Sequence, residues 1–213
     1  MTELFAMVRS IQHSRGRRHM KKLLIVMLLG LACPLALAAD KLPAHPHILV
    51  ETTEGNFKLE LETRQAPLTV AHFVGLVDEG FYDGTIFHRL IPEFMAQGGG
   101  HTPDMKLKED SRTVPNESGN GLSNVRGTIA MARTADPHSA NSQFFINVAD
   151  NTRLDPNKEL GKASWGYTVF GIVFEGMDVV DKIVNAETAR NGPGGAPAPI
   201  VPIVIKKMSR ITY

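Results

Sequence analysis

The chain has 213 residues, 43% of them hydrophobic, enough for one domain with its own core. Its formal net charge is +1, yet residues 1–38 hold six of the 23 Lys and Arg and one of the 22 acids, which leaves 17 basic and 21 acidic residues beyond them. That acidic remainder has no basic stripe, which argues against nucleic acid as a ligand.

The stretch "HMKKLLIVMLLGLACPLALAAD", residues 19–40, accounts for the asymmetry. Lys21 and Lys22 form a positive start, Leu23 to Leu31 an apolar run, and Ala36-Leu37-Ala38 a small-x-small cleavage site. Residues 1–38 are therefore predicted to be a secretory signal peptide cut before Ala39, with translation beginning at Met1 or at Met20. The apolar run is too short for a good membrane span, so no stable membrane insertion is expected after cleavage. The single cysteine, Cys33, lies inside this signal and reads as a small apolar residue, a lipid-modified cysteine being the alternative. A mature chain without cysteine needs no disulfide and excludes thiol catalysis.

Residues 39–46 read as a flexible leader, and the domain is placed at 47–213. His45 and His47 read as solvated side chains, with metal binding left open. "HILVETTEGNFKLEL" predicts a β-hairpin turning at Thr53 to Asn56, with Phe57, Leu59 and Leu61 on its buried face. Helical spacing of Leu68, Ala71, Phe73, Val74 and Val77, with Pro67 at the start and Gly80 at the stop, predicts a helix over 67–79. Short β-like runs follow at 85–91, 94–98, 127–132, 143–148 and 167–174. A second helix is predicted at 176–184, then a loop, "NGPGGAPAPIVP", and a closing strand. Many short strands with two helices argue for a β-barrel or sandwich and not a βαβ fold.

Two stretches carry chemistry. In "FHRLIPEFMAQGGG", residues 87–100, strand alternation puts Phe87, Arg89 and Ile91 on one face, and His88 and Leu90 on the other. Arg89 is either an edge-strand charge or the cation of a binding groove. His88 reads as a core histidine. The glycines lack phosphate-loop spacing and suit a tight backbone turn. In residues 127–155, "GTIAMARTADPHSANSQFFINVADNTRLD", Gln143 shares a face with Phe145, and Phe144 with Ile146. A Phe and Met wall with a few fixed polar groups suits a groove for a peptide or small molecule. Ser139, Ser142 and His138 lack a nucleophile elbow, and no carboxylate pair is apparent. One cation, amides and apolar walls suit binding, or catalysis without bond breaking; no metal, cofactor or general base is assigned.

Together these stretches resemble the cyclophilins. That family's pattern of Phe-His-Arg, two apolar residues, Pro, Gly, Phe-Met, one residue and Gln-Gly-Gly is matched at nearly every position by "FHRLIPEFMAQGGG". "NSQFFI" and "YTVFGIVFEGMDVVDKI" match two further segments in order, over about 47–212. The resemblance implies a mainly β fold, an eight-stranded antiparallel closed barrel capped by two helices, and peptidyl-prolyl cis-trans isomerase activity without a cofactor. It implies Arg89 as the catalytic residue, donating to the prolyl nitrogen, with Gln97 beside it. It implies a substrate site of Phe94, Met95, Phe145 and Leu154, with Ala132 and Arg133 pairing with substrate backbone and Gln143 and Tyr167 at the pocket edge. Arg153, Tyr167, Glu93 and Arg133 stand where many members have Trp, His, Gly and Asn. The first two of these departures imply weak cyclosporin binding. The expected partners are Pro-containing unfolded or extended polypeptides, met as a monomer in a bacterial periplasm. A non-catalytic chaperone for Pro-containing segments is the alternative.

Overall fold

The computed structural model describes residues 42–157 and 164–212. The predicted signal peptide and Cys33 lie outside the described residues. Strands β1 (His47–Thr52) and β2 (Asn56–Leu61) form the expected hairpin, and α1 (Pro67–Asp78) follows. Then come β3 (Ile86–Ile91), β4 (Met95–Gly98), β5 (Thr128–Met131), β6 (Phe144–Asn147) and β7 (Val169–Glu175). Helix α2 (Met177–Val184), the two-residue strands β8 (Thr188–Ala189) and β9 (Ala198–Pro199), and β10 (Ile203–Ile211) complete the order. Eight antiparallel strands close in the order β1-β10-β3-β4-β6-β5-β7-β2, while β8 and β9 pair with each other. The stretch expected as a plain loop at 191–202 therefore contains β9, which is too short to show any periodicity.

The barrel interior is aromatic. Phe73 of α1 lies 5.0 Å from Phe170, 5.1 Å from Tyr82 and 5.9 Å from Phe144, centroid to centroid. All four side chains are fully buried. Tyr82 keeps its hydroxyl satisfied by donating to the Ser142 carbonyl at 3.0 Å, and burial pushes its phenol well above the usual range. Helix α1 has no capping side chain of its own. The Glu117 carboxylate caps it instead, accepting from Leu68 N at 3.1 Å, Thr69 N at 2.8 Å and Thr69 Oγ1 at 2.7 Å. That meets orphan donors at the positive end of the helix.

Residues 42–46, the end of the expected leader, lie against the barrel: Leu42 packs on the core, and Leu61 N and Thr63 N donate to the carbonyls of Pro46 and Ala44. One expectation is corrected: the strict alternation expected for residues 87–91 fails. Phe87 pairs with Gly98 and Arg89 with Gln97, so two steps of β3 face one step of β4. This β-bulge at His88 puts Phe87 in the barrel core with Leu90 and turns Arg89 outward with Ile91. The expected faces of β6 hold: Phe144 and Ile146 enter the core, and Phe145 faces out.

Candidate active site

A second apolar cluster sits on the outer face of the barrel. Met95, Ala130, Phe145 and Val169 form its base, with Ile91, Phe94, Ala132, Leu154 and Tyr167 packed around it. Strand pairing assembles it, because Gln97 lies between Arg89 on β3 and Phe145 on β6. Together they border a pocket of about 210 Å³ lined by Arg89, Phe94, Met95, Gln97, Ala132, Arg133, Phe145, Leu154 and Tyr167. Gln143 lies just outside, in a neighbouring cavity of about 210 Å³ that shares Gln97, Ala132 and Arg133.

The polar groups form a relay. Gln143 Oε1 accepts from Gln97 Nε2 at 3.0 Å, and Gln97 Oε1 accepts from Arg89 Nη1 at 3.2 Å. The same nitrogen contacts Met95 Sδ at 3.8 Å. These partners, an amide oxygen and a thioether sulfur, carry no charge. Arg89 Nε and Nη2 have no hydrogen-bond partner among the described residues, which leaves donors for a ligand.

The glycines that follow make room for this relay. A Cβ on Gly100 would meet Gln143 Cδ at 2.7 Å and Cγ closer still, which would displace the glutamine. Gly99 has φ +83 and sits against Phe144 and Tyr82, where a side chain would be both strained and crowded.

The departures from the family pattern have physical readings. Glu93 adopts φ 60, the left-handed conformation that glycine accepts without penalty. For a residue with a Cβ that costs about 1–2 kcal/mol. Glu93→Gly is therefore expected to stabilise the protein by about 0.5–1 kcal/mol, after the extra unfolded-state entropy of glycine is offset; urea unfolding measures it, and an unchanged midpoint would remove the strain argument. Arg153 lies over the Phe94 ring at 4.7 Å, and Arg133 over Tyr167 at 4.6 Å. Arg133 also donates to the carbonyls of Trp165 at 2.7 Å and Thr134 at 2.9 Å, so it braces the pocket edge.

A buried amide network holds the far wall, and sequence reasoning missed it. Asn151 Nδ2 donates to Phe94 O and to Asn147 Oδ1, each at 2.8 Å. Asn147 Nδ2 donates to Asn124 Oδ1 at 3.2 Å, and Asn124 Nδ2 to Asp155 Oδ1 at 2.8 Å. These bonds fix Phe94 and the turn carrying Leu154. The one available signal was the repetition of amides in "NVADN", which also reads as ordinary loop composition.

Residues 47–210 match the family model described as cyclophilin type peptidyl-prolyl cis-trans isomerase/CLD. The chain belongs to the cyclophilin-type peptidyl-prolyl cis-trans isomerases. It is 52% identical over 160 residues to peptidyl-prolyl cis-trans isomerase A of Dickeya dadantii, covering 75% of this chain and 82% of that one. It is 50% identical over 145 residues to peptidyl-prolyl cis-trans isomerase B of Escherichia coli, covering 68% and 88%. Its fold is similar to the crystal structure of a Cryptosporidium parvum cyclophilin, with a TM-score of 0.67 at 27% identity over 79% of this chain and 99% of that one. The closed eight-stranded barrel with two helices is the cyclophilin fold. The protein is thus an isomerase of X-Pro peptide bonds, and its substrates are proline-containing polypeptides.

Proposed function

We propose that Arg89 is the catalytic donor of this isomerase and that its substrates are exported proteins folding in a bacterial periplasm. The barrier to X-Pro rotation is amide resonance, about 18–20 kcal/mol. Midway through rotation the prolyl nitrogen becomes pyramidal and recovers a lone pair. A donor aimed at that nitrogen binds the twisted state more strongly than either planar state, which is what accelerates the step. The observation that carries this role is the Arg89 guanidinium held by Gln97 at the lip of an apolar pocket, with donors to spare.

Phe94, Met95, Phe145 and Leu154 would hold the proline ring while the preceding segment turns. Their apolar surface would keep water off the carbonyl, whose hydration reinforces resonance. Gln97, braced by Gln143, positions Arg89. Ala132 and Arg133 border the pocket on the side proposed to pair with substrate backbone. Arg153 over Phe94, in place of the tryptophan of many members, supports weak cyclosporin binding.

A proline-isomerisation assay on wild type and Arg89 variants tests the mechanism. If an inactive Arg89 variant still suppresses aggregation of an unfolded client, the groove also has a separate holding role. The export reading rests on residues 19–40. Mass spectrometry of the mature protein is expected to find Ala39 at its N-terminus; a modified Cys33 would mean an anchored form, and a retained Met20 would mean no export processing.

A further inference from the structure

Away from the pocket, a cluster among the described residues brings together side chains that ligate metals. His45, Glu60 and Glu62 each place a ligand atom within 4.8 Å of the others. Glu60 lies on β2 and Glu62 just past its end. Two residues apart on extended backbone, their side chains point the same way. His45 is carried over them by the docked segment ahead of β1. There Pro46 O accepts from Leu61 N at 2.9 Å, and Ala44 O accepts from Thr63 N at 3.1 Å, which extends the β1–β2 ladder past the strand ends.

His45 Nδ1 lies 3.4 Å from Glu62 Oε2 and 3.9 Å from Glu60 Oε1. Both separations exceed a normal N–H···O hydrogen bond. Donor atoms held tetrahedrally at about 2.0–2.2 Å from a zinc ion stand about 3.3–3.6 Å apart. Glu62 Oε2 is moreover a buried oxygen that makes no hydrogen bond among the described residues beyond its long contact with His45 Nδ1. Leaving a carboxylate oxygen in that state is costly, and a cation between it and the imidazole would satisfy it. The opposite oxygen of Glu60, Oε2, lies 3.0 Å from His47 Nε2. His47 in turn packs edge-on to Phe174, with ring centroids 5.2 Å apart. An outer side chain that orients a ligating carboxylate in this way tightens metal sites.

We propose that His45, Glu60 and Glu62 form a binding site for a divalent transition-metal ion of the zinc class, with His47 positioning Glu60. The imidazole selects for Zn²⁺, Ni²⁺ or Cu²⁺ over Ca²⁺ and Mg²⁺, which prefer oxygen. Three protein ligands leave a fourth position to water. None of these residues lines the isomerase pocket, so the ion staples residues 42–46 to the end of β2 and does not enter turnover.

Calorimetric titration of the EDTA-treated full chain with Zn²⁺ alone, and separately with Ca²⁺, tests the site. The expected result is one tight equivalent of Zn²⁺ and none of Ca²⁺. The thermal midpoint should rise by roughly 5–10 °C when free Zn²⁺ reaches a hundredfold excess over Kd. His45→Ala and Glu62→Gln should each abolish the tight equivalent, and His47→Ala should weaken it by about 10–100-fold. All three variants should keep wild-type isomerase activity, which reports that they fold. Absence of a saturable Zn²⁺ equivalent in the wild type, or a tight equivalent that survives both His45→Ala and Glu62→Gln, overturns the site.

Discussion

Arg89→Ala is expected to lower kcat/KM for an X-Pro peptide by about 10²–10³, the worth of one preorganised donor aimed at developing charge. Because the bond forms only in the twisted state, kcat should fall with kcat/KM while KM stays near its wild-type value. Arg89→Lys should recover little. A compact ammonium on a flexible stem cannot make the Gln97 contact and present further donors in the same plane, as the planar guanidinium can. The fold should survive both changes. The bulge at His88 aims Arg89 out of the barrel, its neighbours Phe87 and Leu90 supply the core, and its side-chain oxygen partner among the described residues is Gln97. Equal urea midpoints would show that activity and not folding was lost. Wild-type kcat in both variants would sink the role of Arg89, and a raised KM with unchanged kcat would reassign it to substrate binding alone.

How much of this was legible in the sequence depends on the range over which each feature is written. Helix α1 could be read because Pro67, the apolar spacing and Gly80 all lie within one segment. Its cap could not, because Glu117 comes from a loop 48 residues away in the chain. The hairpin and the two faces of β6 followed from alternation. The faces of β3 did not, because a bulge adds a residue without changing the pattern of apolar and polar letters. Arg89 was visible as an anomaly in an apolar run, and the family motif gave it a meaning. The bulge then explains how an arginine between Phe87 and Leu90 escapes the core. The Asn124, Asn147 and Asn151 network stayed hidden because isolated asparagines read as turn formers until the fold brings them together. Glu93 looked like an unexplained departure; its positive φ shows that the backbone there keeps the shape that suits glycine.

Acid is expected to destabilise the barrel from behind the same strand. His88 is 3% exposed and packs against His101, which is 7% exposed, with the rings tilted by 45° and their centroids 4.2 Å apart. Both Nδ1 atoms are buried without a hydrogen-bond partner among the described residues. Burial first, and then repulsion from His101, hold His88 down at about 4, and burial also lowers His101. The folded state therefore disfavours the imidazolium while the unfolded chain accepts a proton near pH 6.5. Stability is fully present above that pH and is lost as pH falls towards 4, because the unfolded state binds more protons across that window. For His88 alone the loss reaches about 2 kcal/mol by pH 5 and about 3 kcal/mol by pH 4. The carboxylates of Glu79 and Asp110, lowered chiefly by hydrogen bonds from Arg112, add their own loss only as pH falls below the ordinary carboxylate range. Urea unfolding between pH 7 and pH 5 therefore isolates the histidines. His88→Gln, which keeps a polar side chain but cannot titrate, should flatten the slope in that window even if it lowers stability at pH 7. An equally steep loss in His88→Gln would mean that another group, His101 first among them, carries the acid sensitivity.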